Sequence, residues 1–353
     1  MASLNSTVTL GSSPMVPKYI LDIFMAGNII FGELITIIGI IANIINIVIF
    51  RRQGYDDTVN ISLTALAVSD LGSLVTLLPF NVMVNPWFES LDLSFVPLDV
   101  SVFLSFYPHN YFIRVCGFIT AFAAFERCLC VVLPLKVKQI ITKKVAITTI
   151  ICIYLITLLN EFPSYYVIYL DWKKTARVNK TVLSIAFRSY SSSVFSVSYF
   201  ITDMLVPHFT FLVLIACTSI IVFQLKSRSN WIRSISSTTK KVATISNKEK
   251  KVGLMLVVVS VCFIVCLTPQ TVIMSAVCVV PGLGLYGKYF DVASVIYCLA
   301  YYSESINSSL NILVYYKMSS KYKKEIHKVF PFLKTLRDYK VKLLSETSTT
   351  DIM

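Results

Sequence analysis

The sequence predicts an all-α membrane protein: a bundle of seven transmembrane helices with a short amphipathic helix on its inner surface. Three observations point to this class. The 353 residues are 56% hydrophobic and only 14% charged, against about a quarter charged in soluble domains. The apolar residues gather into seven runs, near 27–50, 59–83, 101–133, 145–169, 196–224, 251–280 and 290–316. Each is long enough for the roughly 20 residues that cross a bilayer as a helix. Lysine and arginine are also sorted unequally between the connecting segments, as in a chain with one fixed orientation.

Only helices and closed barrels satisfy their backbone polar groups inside lipid. The runs are too long and too continuously apolar for barrel strands, which alternate over about ten residues, so each is read as a helix. No internal repeat is visible, which leaves a repeat-built transporter without support. With the N-terminus outside, the inner segments hold 23 of the 32 lysines and arginines, the outer segments hold 7, and Arg114 and Arg127 lie within helices. That bias favours a multi-pass plasma-membrane protein with an extracellular N-terminus. The sequons at Asn5 and Asn179 fall in outer segments and are candidate glycosylation sites. Those at Asn60 and Asn307 lie at membrane depth and read as chance matches. Residues 1–20 lack the pattern of a cleavable leader, so the first apolar run is expected to serve as its own insertion signal.

The expected organisation is an extracellular N-terminus over 1–26, the seven-helix unit over 27–316, an amphipathic juxtamembrane helix over 317–331, and a cytoplasmic tail over 332–353. In the juxtamembrane segment Tyr322, Ile326, Val329 and Phe330 share one helical face. Lys321, Lys323, Lys324 and Lys328 suit anionic headgroups, and Pro331 ends the helix. Ser345, Thr347, Ser348, Thr349 and Thr350 are candidate phosphorylation sites in a tail that reads equally as a solvated end.

Other classes are disfavoured. The net charge of +13 lies in connecting segments rather than on one face, so no nucleic-acid partner is expected. None of the nine cysteines has zinc-ligand spacing; they read as packed thiols, with Cys278 nearest the outer surface and no disulfide framework. No metal site is indicated. No His-Glu-x-x-His, Gly-x-Ser-x-Gly or phosphate-loop motif occurs, so the chain is not read as an enzyme.

Polar groups at membrane depth are costly and mark candidate functional positions. Asn43 in the first helix, Asp70 in the second, and Asn307, Ser308 and Asn311 in the seventh fall at similar depth. Asp70 is expected to face the bundle centre and meet Asn43 and Asn311 through water, with a sodium ion as a candidate occupant; plain interhelical hydrogen bonding is the alternative. Arg127, preceded by Glu126, sits near the inner end of the third helix. Glu249, just before the sixth, is placed to reach it; an arginine simply reaching for the interface is the alternative. Pro79, Pro207 and Pro269 interrupt apolar runs and are expected to kink their helices, as pivots or as static bends.

Read in order, these residues carry a family resemblance over about residues 27–330. Gly39-Ile40-Ile41-Ala42-Asn43, Leu66-Ala67-Val68-Ser69-Asp70, Glu126-Arg127-Cys128, Pro207, Phe263-x-x-Cys266-Leu267-Thr268-Pro269 and Asn311-Ile312-Leu313-Val314-Tyr315 resemble, helix by helix, the motifs of rhodopsin-like G-protein-coupled receptors. Leu267 stands in place of the family's tryptophan and Ile312 in place of its proline, and the fourth helix lacks its usual tryptophan. The cysteines of the family's outer disulfide are missing, so the second outer loop is expected to be looser. His109 stands where aminergic members carry an aspartate, which argues against a biogenic-amine ligand. So divergent a set is similar to invertebrate chemosensory or FMRFamide-like neuropeptide receptors.

The resemblance implies a receptor that binds an extracellular peptide or chemosensory small molecule and activates a heterotrimeric G protein through outward movement of the sixth helix. Switch residues would be Glu126, Arg127, Glu249, Asn311 and Tyr315, and the pivots Pro207, Phe263 and Pro269. Arrestin and a receptor kinase would meet the tail. His109, Asn110, Arg114, Asp203 and Glu304 are the candidate ligand contacts, although for Arg114 and Asp203 pairing with each other is the preferred reading over ligand contact. A transporter or channel using these polar residues as a path is the competing reading.

Overall fold

The computed structural model describes residues 17–332 and 335, apart from 90, 135, 176–179, 235–239, 281 and 284–287. Seven long helices form the bundle: α1 (Lys18–Gln53), α2 (Thr58–Met83), α3 (Pro97–Val132), α4 (Lys143–Tyr166), α5 (Ser191–Ser234), α6 (Lys240–Val279) and α7 (Phe290–Met318). The short α8 (Ser320–Val329) follows α7 after a single residue. Among the described residues six helices are long and apolar enough to cross a membrane. The seventh, α7, carries Glu304, Ser305, Asn307, Ser308 and Asn311, all buried, so these polar side chains face protein rather than lipid.

The outer surface of the bundle is greasy. Leu159, Leu212 and Phe223 are at least two-thirds exposed, the arrangement expected where the solvent is hydrocarbon. Helix α3 is central and packs against α2, α4, α5 and α6, while α1 lies against α2 and α7. One buried cluster runs from Val115, Ile119 and Leu214 to Phe263, Tyr315 and Tyr322.

Local chemistry sets the helix ends. The Asp57 carboxylate accepts from the Val59 N–H to cap α2, Thr142 caps α4 through Val145, and Ser319 caps α8 through Tyr322, each meeting an otherwise unpaired helical donor. Gly54, just past α1, takes φ +79°, a conformation that glycine adopts without steric cost. Helix α1 begins at Lys18 rather than at 27: the helix continues beyond the apolar run, because hydrophobicity marks the span and not the last helical turn. Likewise α8 covers Ser320–Val329 within the expected 317–331.

Among the described residues two helices contain π-helical turns, Val102–Phe106 in α3 and Phe200–Leu205 in α5. Each immediately precedes a proline's turn: Pro108 lies four residues after Leu104, and Pro207 four residues after Asp203. A proline ring clashes with the carbonyl four residues before it, and a wider turn at that point relieves the clash. Ahead of Pro207 the widened turn contains Asp203.

The α4–α5 connection departs from expectation. It is an antiparallel hairpin of β1 (Ile168–Thr175) and β2 (Lys180–Phe187), paired in register from Ile168↔Phe187 to Thr175↔Lys180. It is also anchored to the chain entering α3. Val96 N donates to Leu183 O and Leu183 N to Ser94 O, both at 2.9 Å, and the Asp99 carboxylate accepts from Ser184 Oγ at 2.5 Å and Ile185 N at 3.2 Å. The loop is fixed by hydrogen bonds where a looser segment was expected, because a side-chain acceptor can take over the fastening that a disulfide would supply.

Candidate ligand and signalling sites

The end of the bundle bearing α8 holds a neutral polar network around one carboxylate. Asp70, 1% exposed, accepts from Asn311 Nδ2 at 2.8 Å, Ser308 Oγ at 3.0 Å and Cys116 Sγ at 3.3 Å. It does face the bundle centre, but it meets Asn311 directly rather than through water, and Asn43 does not bond to it. Asn43 Nδ2 donates instead to the Ser308 carbonyl at 2.8 Å and to the Gly39 carbonyl. The network extends farther than the sequence reading reached: Asn46 Nδ2 donates to Asn43 Oδ1, and Tyr322 of α8 donates to Asn46 Oδ1 at 2.6 Å. Tyr315 and Tyr322 pack against Phe50, with ring centres 5.2 and 5.5 Å away. Asn46 lies three residues after Asn43 on the same helical face, which is the signal that could have found it. Asn307 is buried beside this network.

Arg127 lies near the same end. Its guanidinium donates to Glu126 Oε1 at 2.9 Å and lies 3.9 Å from Asp57. Glu126, 2% exposed, also accepts from Thr58 and from Ser62 at 3.4 Å. This lock ties α3 to α2. The side chain of Glu249 lies outside the described residues, as do Asn5, Asn179 and the Ser345–Thr350 segment. Arg127 Nε is buried without an acceptor.

Toward the hairpin end the predicted ligand residues form two polar groups. Arg114 Nη2 donates to Asp203, Nη1 to the Asn110 carbonyl at 2.9 Å and Nε to the Thr202 carbonyl at 2.9 Å, with Glu161 3.3 Å from Nε. The pairing of Arg114 with Asp203 is thus observed, and Glu161 on α4 was missed because nothing in its local sequence shows that it faces inward. His109 Nδ1 donates to the Ser73 carbonyl at 2.9 Å, and its Nε2 lies 3.0 Å from Glu304 Oε2. Both ring nitrogens thus face oxygens, which fixes the ring between α2 and α7.

Between α3, α5, α6 and α7 lies a narrow, partly open cavity of about 50 Å³. Asn110, Arg114, Asp203 and Glu304 line it, together with Pro207, Phe263, Leu267 and Gln270. His109 stands behind Glu304 rather than in the wall. Leu267, the residue in place of the family's tryptophan, helps line the cavity, and Phe263 packs edge-on to Phe211 and over Gly117.

Residues 42–315 match the family described as 7 transmembrane receptor (rhodopsin family). The chain belongs to that family. The receptor is also 26% identical over 310 residues to the allatostatin-A receptor of Bombyx mori, covering 85% of this chain and 78% of that one. Family membership decides for a multi-pass membrane receptor with an extracellular ligand and a G-protein partner over the transporter or channel reading, and it agrees with the absence of enzyme motifs.

Proposed function

We propose that the receptor sits in the plasma membrane with its N-terminus outside, takes a peptide into the cavity from the hairpin end, and signals through α6 at the α8 end. The observation that carries this reading is that the cavity wall includes α6 on both sides of Pro269: Phe263 and Leu267 before it, Gln270, Thr271 and Met274 after it. An occupant therefore presses on the helix at its weakest point, where a backbone hydrogen bond is lost. A ligand shifts the balance only by binding one state better, and side chains flanking a kink change position between a straighter and a more bent helix. The Lys and Arg distribution supports the orientation. The similarity to an allatostatin-A receptor supports a peptide over a chemosensory small molecule.

At the other end, activation releases Arg127 from Glu126 and Asp57 to meet the G protein, and Glu249 adds to the resting lock. A sodium ion at Asp70 would be held by the carboxylate, with Ser308 Oγ able to rotate a lone pair toward it. Arrestin and a receptor kinase act on the tail, and Asn5 and Asn179 carry glycans.

The test expresses the full chain in cells with a promiscuous Gα subunit and applies Bombyx mori allatostatin-A peptide. A dose-dependent response is expected, and Arg127→Ala should abolish it while surface expression persists. Silence toward this and a panel of other neuropeptides, at normal surface expression, overturns the peptide reading.

A further inference from the structure

We propose that the ligand enters this cavity with a group that donates N–H hydrogen bonds and bears no negative charge (an ammonium, a guanidinium or a primary carboxamide) and is gripped between Glu304 and Gln270. The proposal rests on the cavity being the ligand site and adds the chemistry of what it grips.

The polar groups in the wall divide sharply by role. Apart from the Gln270 amide, the side-chain donors are taken. The Arg114 guanidinium is bonded to Asp203 and to two carbonyls, Asn110 and Thr202. Asn110 Nδ2 donates to the Phe106 carbonyl at 2.9 Å, Thr210 Oγ1 to the Pro207 carbonyl at 2.9 Å, and Thr271 Oγ1 to the Leu267 carbonyl at 3.0 Å. The acceptors are left over. Glu304 uses Oε2 on His109, while its Oε1 is buried without a partner, and so is Gln270 Oε1. Both residues line the cavity and both are more than nine-tenths buried.

A buried acceptor without a donor is unfavourable, and two of them in one wall call for the same complement. A carboxylate would bring further acceptors against Glu304 and would find the one guanidinium already engaged. The remaining lining, Ile113, Val206, Phe211, Phe263, Leu267 and Met274, suits an apolar neighbour to the donor group, the usual make-up of a ligand pocket.

The test uses the purified full-length receptor and three fragments of one size: benzamidinium, benzamide and benzoate. Binding is read as a dose-dependent rise in Tm. The two donors are expected to bind and benzoate to fail. Gln270→Leu, which removes an acceptor that has no partner within the protein, should weaken both donors by about tenfold, in the range of one lost hydrogen bond. Glu304→Leu should do the same; should it fail to fold for want of the His109 partner, Gln270→Leu alone decides. Glu304→Gln separates the sources: a fall for benzamidinium alone assigns a cation, and retention of both assigns a neutral donor. Benzoate binding as well as benzamide, no binding by either donor, or unchanged donor binding in Gln270→Leu overturns the proposal. No peptide is involved, so a receptor deaf to allatostatin-A leaves this result standing, and a peptide response without fragment binding removes this inference alone.

Discussion

Toward the hairpin end polarity is buried as charge, with Arg114 between Asp203 and Glu161, and beside it His109 meets Glu304. Toward the α8 end, apart from the Glu126–Arg127 pair, it is buried as neutral groups around the carboxylate of Asp70, where Asn311, Ser308, Asn43, Asn46 and Tyr322 all find partners. The ionic region borders a cavity and leaves acceptors unmet, whereas the neutral chain runs through packed helices. The difference fits the proposed division of labour, in which an unsatisfied site receives the ligand and a satisfied network holds helices in register.

The largest expected effect tests the ionic side. Arg114→Leu strands Asp203 and Glu161 in an apolar setting, and breaking one partner of a buried ion pair costs about 3–5 kcal/mol. Surface expression should collapse, and adding Asp203→Asn should restore part of it; equal collapse of the double variant would mean that the pairing is not what matters. Next, Gly72→Ala places a methyl 2.5 Å from the Phe112 ring, between α2 and α3. Overpacking of this kind costs about 1–3 kcal/mol, read as a lowered Tm in detergent. At the hairpin itself, Asp99→Ala removes the acceptor for Ser184 and Ile185 and exposes their donors. A loss of about 1–2 kcal/mol in local opening should appear as faster hydrogen exchange across Lys180–Phe187, with α7 unchanged.

The neutral side should respond less. Tyr322→Phe deletes one hydroxyl bond to Asn46 while keeping the ring against Phe50, so about 0.5–1.5 kcal/mol is expected. A loss larger than that of Arg114→Leu would reverse the contrast between the two ends. Smallest of all is Glu325→Gln on α8. Lys328, 2.7 Å away, holds the Glu325 carboxyl below its usual 4.5. A lowered folded-state value stabilises above the ordinary carboxylate range and is lost as pH falls through the lowered value. Lys328 is more than half exposed and Glu325 partly so, and solvent screening keeps the acid-side loss under about 0.5 kcal/mol.

Much of the site was legible because its residues are anomalous where they stand. Asp70, Arg127 and Asn311 are polar groups in apolar runs, and lipid tolerates them only in the interior. Glu161 is just as anomalous, yet it stands near the end of an apolar run, where an acid reads as reaching for water. Asn46, Gln270 and Asp99 gave weaker signals, because their importance lies in a partner that is remote in sequence. Sequence also misjudged the α4–α5 connection. A missing disulfide is visible in the residue list, while a carboxylate at the start of α3 that meets a strand some 85 residues later is not.

The sequence by itself determined the number of spanning helices, their approximate limits, the face of α8 and which residues lipid would force inward, since each follows from the free energy of placing a given side chain in hydrocarbon. The tertiary structure decided which of those inward groups meet. It turned Asn43 from Asp70 to the Ser308 carbonyl, tied Glu126 to α2, widened α3 and α5 ahead of their prolines, and left Glu304 and Gln270 with an oxygen each to spare. Hydrogen bonds and ion pairs are satisfied over about 3 Å, and only the packing of remote helices sets distances on that scale.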